Sequence, residues 1–397
     1  MLHRREKAPS VGAPGGRLIE AHPSATPWRR LFMRPAELLE GYDLSRLRVG
    51  AVASHSALDV FDGAKDEGFE TVAICQRGRE RPYLRFRRVV DHCLLLDRFA
   101  DAARPENVEK LRSLNTIVVP NRSFAVYLGY DTIEEGFPVP VFGNRRLLRY
   151  EERVGEKTYY RLLDEAGIRR PRVYRGPDEV DRPVIVKMPH AQKRVERGFF
   201  IALDRDDLMR KLRELESRGV IRSEDLAEAS IEELVLGAHF NVNYFHSVAR
   251  GEVELLSIDR RLQTNLDGFL HQTADVQLEL LKVFPVEYVE IGHTPATIRE
   301  RMLEKLIEIG DRFVEAAARV EPPGVIGPFT LQLMVTPDLD VVVFDVATRI
   351  GGGTNIYMGV GSQYSKLIHG RPISMGHRIA IEIRECLEKD CLEKILT

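Results

Sequence analysis

Cysteine is scarce: Cys75, Cys93, Cys386 and Cys391 are the only 4 in 397 residues. They form no C-x-x-C pair and have no histidines at zinc spacing, so they read as reduced thiols in a cytoplasmic protein. Long apolar runs are missing too; none approaches the roughly 18 residues of a membrane span. Charge is balanced, with 58 basic and 60 acidic residues and a net charge of -2, which argues against a large nucleic-acid footprint. No G-x-G-x-x-G follows the first strand, which argues against a dinucleotide-binding dehydrogenase. Residues 1–32 lack an apolar h-region, so they are no signal peptide; they read as a loose tail or an over-called start upstream of Met33.

At this length one hydrophobic core is too small an account, and two or three packed units are expected. The first alternates strands with helices. Leu47–Ala53 is a β-branched strand ending in Ser54-His55-Ser56, and Ala57–Glu67 has helical spacing and closes at Gly68. Further strands are expected at Thr71–Cys75, at Thr116–Val119 before Pro120-Asn121-Arg122-Ser123, and at Val139–Phe142 before Gly143-Asn144-Arg145-Arg146. Right-handed βαβ crossovers make such a sheet parallel and place its ligands where strand carboxyl ends meet helix starts. Ser54 and Ser56 are fully explained as helix N-caps. His55 sits at the same junction, where orphan N–H groups attract an anion and an imidazole adds a donor or acceptor. Ser123 is placed to cap its helix, to bind phosphate, or to do both.

The middle of the chain changes character. Arg182–Met188 is a strand carrying Lys187, the loop Pro189–Arg197 holds Lys193, Arg194 and Arg197, and Gly198–Ala202 resumes a strand. A basic flap of this kind can cover a polyphosphate, although a charged loop is more often simply solvated. Ile231-Glu232-Glu233-Leu234-Val235-Leu236-Gly237 follows, an acidic pair and an apolar hinge that can offer backbone groups to a purine edge.

Phe329–Asn355 reads as two strands closing on a turn, then Arg349 and three glycines. With Pro337–Asp340 as the hairpin loop, Thr336 faces Val341, Met334 faces Val343 and Gln332 faces Asp345. Gln332 and Asp345 then share a face with β-carbons roughly 5 Å apart. The pair suits a hard cation such as Mg²⁺; it would equally arise in an edge hairpin with two solvated polar residues. The glycines let backbone approach a ligand closely.

Taken in order, the lysine strand, flap, acidic hinge and final Asp345-x-x-x-Arg349 resemble the ATP-grasp superfamily of carboxylate-amine ligases. Over about residues 47–397 the likeness is more specific. Ser54-His55-Ser56, Gly63-Ala64-Lys65-Asp66-Glu67-Gly68-Phe69, Phe142-Gly143-Asn144-Arg145-Arg146, Ile258-Asp259-Arg260-Arg261, Pro322–Phe329 and Gly352-Gly353-Thr354-Asn355 resemble the archaeal PurP family. Its members are formate-dependent synthetases of 5-formaminoimidazole-4-carboxamide ribonucleotide (FAICAR), late in purine biosynthesis. The resemblance implies an N-terminal parallel α/β substrate domain (pre-ATP-grasp-like, residues 45–150, after a lead-in at 1–44). A two-lobed α+β ATP-grasp domain follows at 151–397, with a flap lobe at about 171–240 and a metal-bearing lobe at about 241–397.

The same resemblance implies site residues. His55, Ser123 and His293 would contact the aminoimidazole carboxamide ribonucleotide (AICAR). Lys187, Lys193, Arg197, Glu232, Glu233, Val235 and Gln263 would contact ATP. Gln332 and Asp345 would hold Mg²⁺ or Mn²⁺, and His55 and Arg349 would serve catalysis. Formate would attack the γ-phosphate and the resulting acyl phosphate would be captured by the amine, with no covalent enzyme nucleophile. A cytoplasmic homo-oligomer with small-molecule substrates and neither nucleic-acid nor membrane partners is expected.

This chain departs from the family pattern at several ligands. Its flap keeps only Gly198, Gln263 and His293 stand for a glutamate and an asparagine, Asn121-Arg122 replaces His-Gly, and Asp345 is one methylene short. The departures leave open a ligase acting on another amine or acid, or an inactive nucleotide-binding partner subunit.

Overall fold

The structure, a computed structural model, describes residues 17–19, 34–187, 199–217, 219 and 229–397. The flap loop with Lys193 and Arg197 lies outside the described residues. Three sheets organise the rest. The first contains β1 (Arg17–Ile19), β2 (Arg48–Val52), β3 (Glu70–Gln76), β4 (His92–Leu96) and β5 (Thr116–Val118), in the order β1-β4-β3-β2-β5. Every pairing in it is parallel. Chain order reverses at β2, with β3 on one side and β5 on the other, so the crevice beyond their carboxyl ends is a topological switch point.

Two expectations for this sheet need correction. Strand β4 went unpredicted because Cys93-Leu94-Leu95-Leu96 is a short continuous apolar run, and such runs carry no period. Val139–Phe142 forms no strand; it contributes single bridges, Val141 to Val118 and Phe142 to Leu396.

The second sheet is small and antiparallel: β6 (Val173–Tyr174), β7 (Val184–Lys187), β8 (Phe199–Ala202) and β9 (Ser230–Glu233), ordered β6-β9-β7-β8. Tyr174, Val184, Val186 and Ala202 pack on Leu208 and Leu212 of the helix Arg205–Ser217, a core of its own. The third sheet runs β12-β11-β10-β13-β14, from β10 (Ala238–Ser247), β11 (Glu252–Asn265), β12 (Tyr288–Pro295), β13 (Gly327–Val335) and β14 (Val341–Ala347). The amphipathic helix Leu303–Val320 backs it, with Phe313 stacked on Phe329 at 5.3 Å between ring centroids.

The β13–β14 hairpin does place Gln332 opposite Asp345, by a different route from the one expected. The turn is one residue tighter, pairing Val335 with Val341 and Leu333 with Val343, and a bulge at Phe344 restores the register.

The carboxy-terminal helix Met375–Glu388 joins the first and third sheets. It crosses the helix Ala57–Asp66 at two glycines: a Cβ on Gly376 would lie 2.0 Å from the Asp59 carbonyl oxygen, and one on Gly63 2.1 Å from His377 N. On its other side the fully buried Arg378 donates to Glu254 at 2.8 Å and to Glu382 at 3.0 Å, over the ring of Phe245. One hydrophobic cluster therefore runs from Ala51 and Phe61 through Ile379 to Phe245 and Leu256.

Candidate active site

The cleft between the two antiparallel sheets is built around charge. Lys187, last in β7, donates to Glu232 of the neighbouring β9 at 2.7 Å. Glu232 is fully buried and also accepts from the Tyr160 hydroxyl at 2.6 Å. Burial holds the Lys187 ammonium below its usual range, and Glu232 offsets part of that effect. Asp345 and Arg153 act electrostatically on the same lysine, and Arg153 lies 3.6 Å from Asp345. Lysine strand and metal-candidate hairpin thus face one space.

Strand alternation separates the acidic pair. Glu232 points into the cleft, whereas Glu233 points outward to Arg182 at 3.4 Å. Val235 lies just past the end of β9 and is half-buried. Gln263 sits on β11, in register with Glu290, and donates to the Tyr288 carbonyl at 3.4 Å.

Within the hairpin, Gln332 is buried and its Oε1 has no hydrogen-bond partner among the described residues. A buried carbonyl oxygen of this kind is costly unless something satisfies it. Facing the Asp345 carboxylate across the strand pair, it completes a donor set that fits a hard divalent cation.

The switch point of the first sheet carries the second group. His55 adopts a left-handed backbone, φ 57°, at the end of β2, a sparsely populated region for a residue with a side chain. Its Nδ1 lies 3.0 Å from Ser56 Oγ, and its carbonyl accepts from Asn355 Nδ2 at 2.9 Å. Ser56 Oγ therefore pairs with the His55 ring instead of capping the helix, whose N-cap has no side-chain hydrogen bond. Burial, with Arg349 next in effect, pushes the His55 imidazole down to about 3, so the ring is neutral. Ser123 does not cap its helix either: Asn121 does, through Oδ1 to Phe124 N at 3.0 Å. Ser123 stays half-buried in the first turn.

Glu151 gathers the cations of this region. Its Oε2 accepts from Arg122 at 3.1 Å and Arg349 at 3.2 Å. Arg349 Nε is buried and has no hydrogen-bond partner among the described residues.

His293 on β12 completes the site. Its Nδ1 lies 2.7 Å from Asp259 and its Nε2 3.1 Å from Glu290. Burial pulls its pKa down, but those two carboxylates prevail and raise it to about 9. The glycine run explains how the rings meet. Gly351 and Gly353 press on the protein itself, since their Cβ atoms would lie 2.8 Å from Thr330 Oγ1 and 2.3 Å from Asp259 Oδ2. Gly352 lies beneath both imidazoles, where a Cβ would sit 3.1 Å from His55 Nε2 and 3.6 Å from His293 Nε2.

Sequence reasoning missed Glu151, Arg153, Asp259, Glu290 and Tyr160. Of these only Asp259 carried a signal, inside Ile258-Asp259-Arg260-Arg261.

Fold and site define an ATP-grasp protein, and comparisons with known proteins agree. A solved ADP complex of N5-carboxyaminoimidazole ribonucleotide synthetase superposes with a TM-score of 0.57 at 14% identity, over 83% of this chain and 78% of that one, and shares the fold. Two family models match, a protein of unknown function (DUF1246) over residues 49–174 and a domain of unknown function (DUF1297) over residues 207–397. The 5-formaminoimidazole-4-carboxamide-1-(beta)-D-ribofuranosyl 5'-monophosphate synthetase of Methanothermobacter thermautotrophicus is 44% identical over 362 residues, 91% of this chain and 97% of that one. Its namesake in Methanopyrus kandleri is 45% identical over 362 residues, 91% of this chain and 98% of that one. The crystal structure of the IMP biosynthesis protein PurP from Thermococcus kodakaraensis matches with a TM-score of 0.65 at 30% identity, over 88% of this chain and 100% of that one. The chain belongs to the PurP family of FAICAR synthetases. No helix among the described residues is long and apolar enough to cross a membrane.

Proposed function

We propose that the protein joins formate to the amine of AICAR at the expense of ATP, giving FAICAR, ADP and phosphate. The observation that carries this reading is the convergence on one cleft of Lys187, Asp345 and Gln332 Oε1, which has no hydrogen-bond partner among the described residues, with the His55 and His293 rings meeting at Gly352 beyond the end of β14. The names of its relatives support the same reaction.

Lys187, held by Glu232, would bind the nucleotide phosphates. Gln332 and Asp345 would hold a divalent ion, Mg²⁺ or Mn²⁺, which when bound offsets charge on phosphate oxygens. Formate oxygen attacks the γ-phosphorus; the P–O bond to ADP breaks and formyl phosphate forms. The amine nitrogen then attacks the formyl carbon, the C–O bond to phosphate breaks, and the amine proton leaves with the phosphate. Arg349, whose Nε has no acceptor among the described residues, stabilises the charge that gathers on the oxygens. His55 stays neutral; with Nδ1–H donating to Ser56, its Nε2 accepts a hydrogen bond from the amine and orients its lone pair. Arg122, beside Ser123 at the helix start, supplies positive charge for the ribonucleotide phosphate.

Release of ADP by the purified protein tests this. Release is expected only when formate and AICAR are both present with ATP and Mg²⁺. No release from folded protein with all four supplied refutes the reading.

A further inference from the structure

The cysteines fall into two pairs that differ in access. Cys75 on β3 and Cys93 on the adjacent β4 are both fully buried in the hydrophobic cluster of the first sheet, out of reach of a solvent-borne oxidant. Cys386 is buried in the last turn of the helix Met375–Glu388, and Cys391, just beyond it, is the partly exposed member of the second pair. Their Sγ atoms lie 2.9 Å apart. The backbone produces this contact. Asp390 takes the left-handed conformation, φ 53°; its N–H donates to the Leu387 carbonyl at 3.4 Å, and the Cys391 N–H donates to the Cys386 carbonyl at 2.8 Å. These two hydrogen bonds are the Schellman ending of a helix, which sets the residue two past the cap against the one three before it. Apolar side chains commonly fill those two places; here both are thiols. The segment beyond the cap braces the first domain. Leu392, Ile395 and Leu396 share a cluster with Ala51 and Ala73. Gly143 N donates to the Ile395 carbonyl at 2.9 Å, Val141 and Thr397 exchange backbone hydrogen bonds at 3.0 Å each, and Arg145 N donates to Thr397 Oγ1 at 3.0 Å.

We propose that Cys386 and Cys391 are a modification site, a dithiol that a low-molecular-weight disulfide oxidises to a bond stapling the terminal segment to its helix. Cys391, the accessible sulfur, attacks one sulfur of the reagent; the reagent S–S bond breaks, and one thiol leaves with the Cys391 proton. Cys386 then attacks Cys391 Sγ; the mixed disulfide breaks, and the second thiol leaves with the Cys386 proton. Two electrons pass from the cysteine pair to the reagent, which ends as two thiols. Burial pushes the Cys386 thiol up, which leaves the first attack to Cys391 and the resolving step to Cys386. The bond acts on local opening: it keeps the terminal segment from peeling away from the helix and releasing Gly143 and Arg145. Nothing in this requires the ligase reading, since neither cysteine lies in the nucleotide cleft or beside the two imidazoles.

Incubation of the folded, full-length protein with oxidised glutathione, followed by alkylation and tryptic mapping, tests the proposal. Cleavage after Arg384, Lys389 and Lys394 should yield Glu385–Lys389 joined to Asp390–Lys394, lighter than the two peptides together by two hydrogens. Cys75 and Cys93 should be recovered as free thiols once the protein is unfolded. Cys386→Ser should halt the reaction at a glutathione adduct on Cys391, and Cys391→Ser, at the partly exposed position, should leave Cys386 unmodified. The linked wild type should melt about 2 °C or more above the reduced protein, and neither serine variant should show that rise. Absence of the linked peptide from the wild type, whether Cys391 stays free or keeps its glutathione, overturns the proposal, as does loss of the Cys75 and Cys93 thiols first. A linked wild type that melts no higher than the reduced protein overturns the stapling role.

Discussion

Lys187 and Glu232 form a buried charge pair at the proposed nucleotide site. Lys187→Met keeps most of the side-chain volume but strands a fully buried carboxylate. Breaking a buried pair from one side costs about 3–5 kcal/mol. The Tyr160 hydroxyl at 2.6 Å and Ser230 Oγ at 3.3 Å still donate to Glu232, which places the expected loss at the low end, about 3 kcal/mol. Adding Glu232→Leu removes the stranded charge; the Tyr160 hydroxyl then loses its strongest acceptor, at about 1 kcal/mol. The double variant should therefore recover about 2 kcal/mol relative to Lys187→Met, a coupling that a double-mutant cycle in urea resolves through shifts in midpoint at constant slope. Stabilisation by ATP, read as a rise in melting temperature, should be lost in the single and the double variant alike. A double variant no more stable than Lys187→Met would refute the desolvation argument.

Removing the unsatisfied acceptor by Gln332→Ala should leave stability within about 1 kcal/mol of the wild type or raise it, since an unpaired buried oxygen costs about that much. The same variant should lose the extra thermal shift that Mg²⁺ adds to ATP. His293 gives a pH signature: its folded pKa of about 9 lies above the ordinary 6.5. Its contribution to stability is complete below about pH 6.5 and is lost as pH rises through about 9. Urea midpoints measured from pH 6 to 10 should fall for the wild type across that window, and the part of the fall that is due to His293 should be absent in His293→Gln.

Local signals in the sequence led to part of this architecture. The β13–β14 hairpin could be paired by counting, yet the count reached Gln332 opposite Asp345 through a tighter turn and a bulge that cancel. Alternation could have separated Glu232 from Glu233, but only the order β6-β9-β7-β8 shows which of them meets Lys187. Cap chemistry was misjudged at Ser56, whose hydroxyl pairs with the His55 ring, and of the alternatives open at Ser123 capping is taken by Asn121. Glu151, Asp259 and Glu290 were illegible for a different reason. Each is one acidic residue among 60, and what distinguishes it is a partner that strand order or chain return brings from far along the sequence.

The carboxy-terminal helix sets where this molecule is able to bend. Because its glycines let two backbones touch and its arginine is paired with two buried carboxylates, the first sheet and β10–β11 of the third are packed on one hydrophobic cluster. The four-stranded sheet with Lys187 keeps a separate hydrophobic centre, so it is the part of the fold that can shift without disturbing the cluster beneath His55.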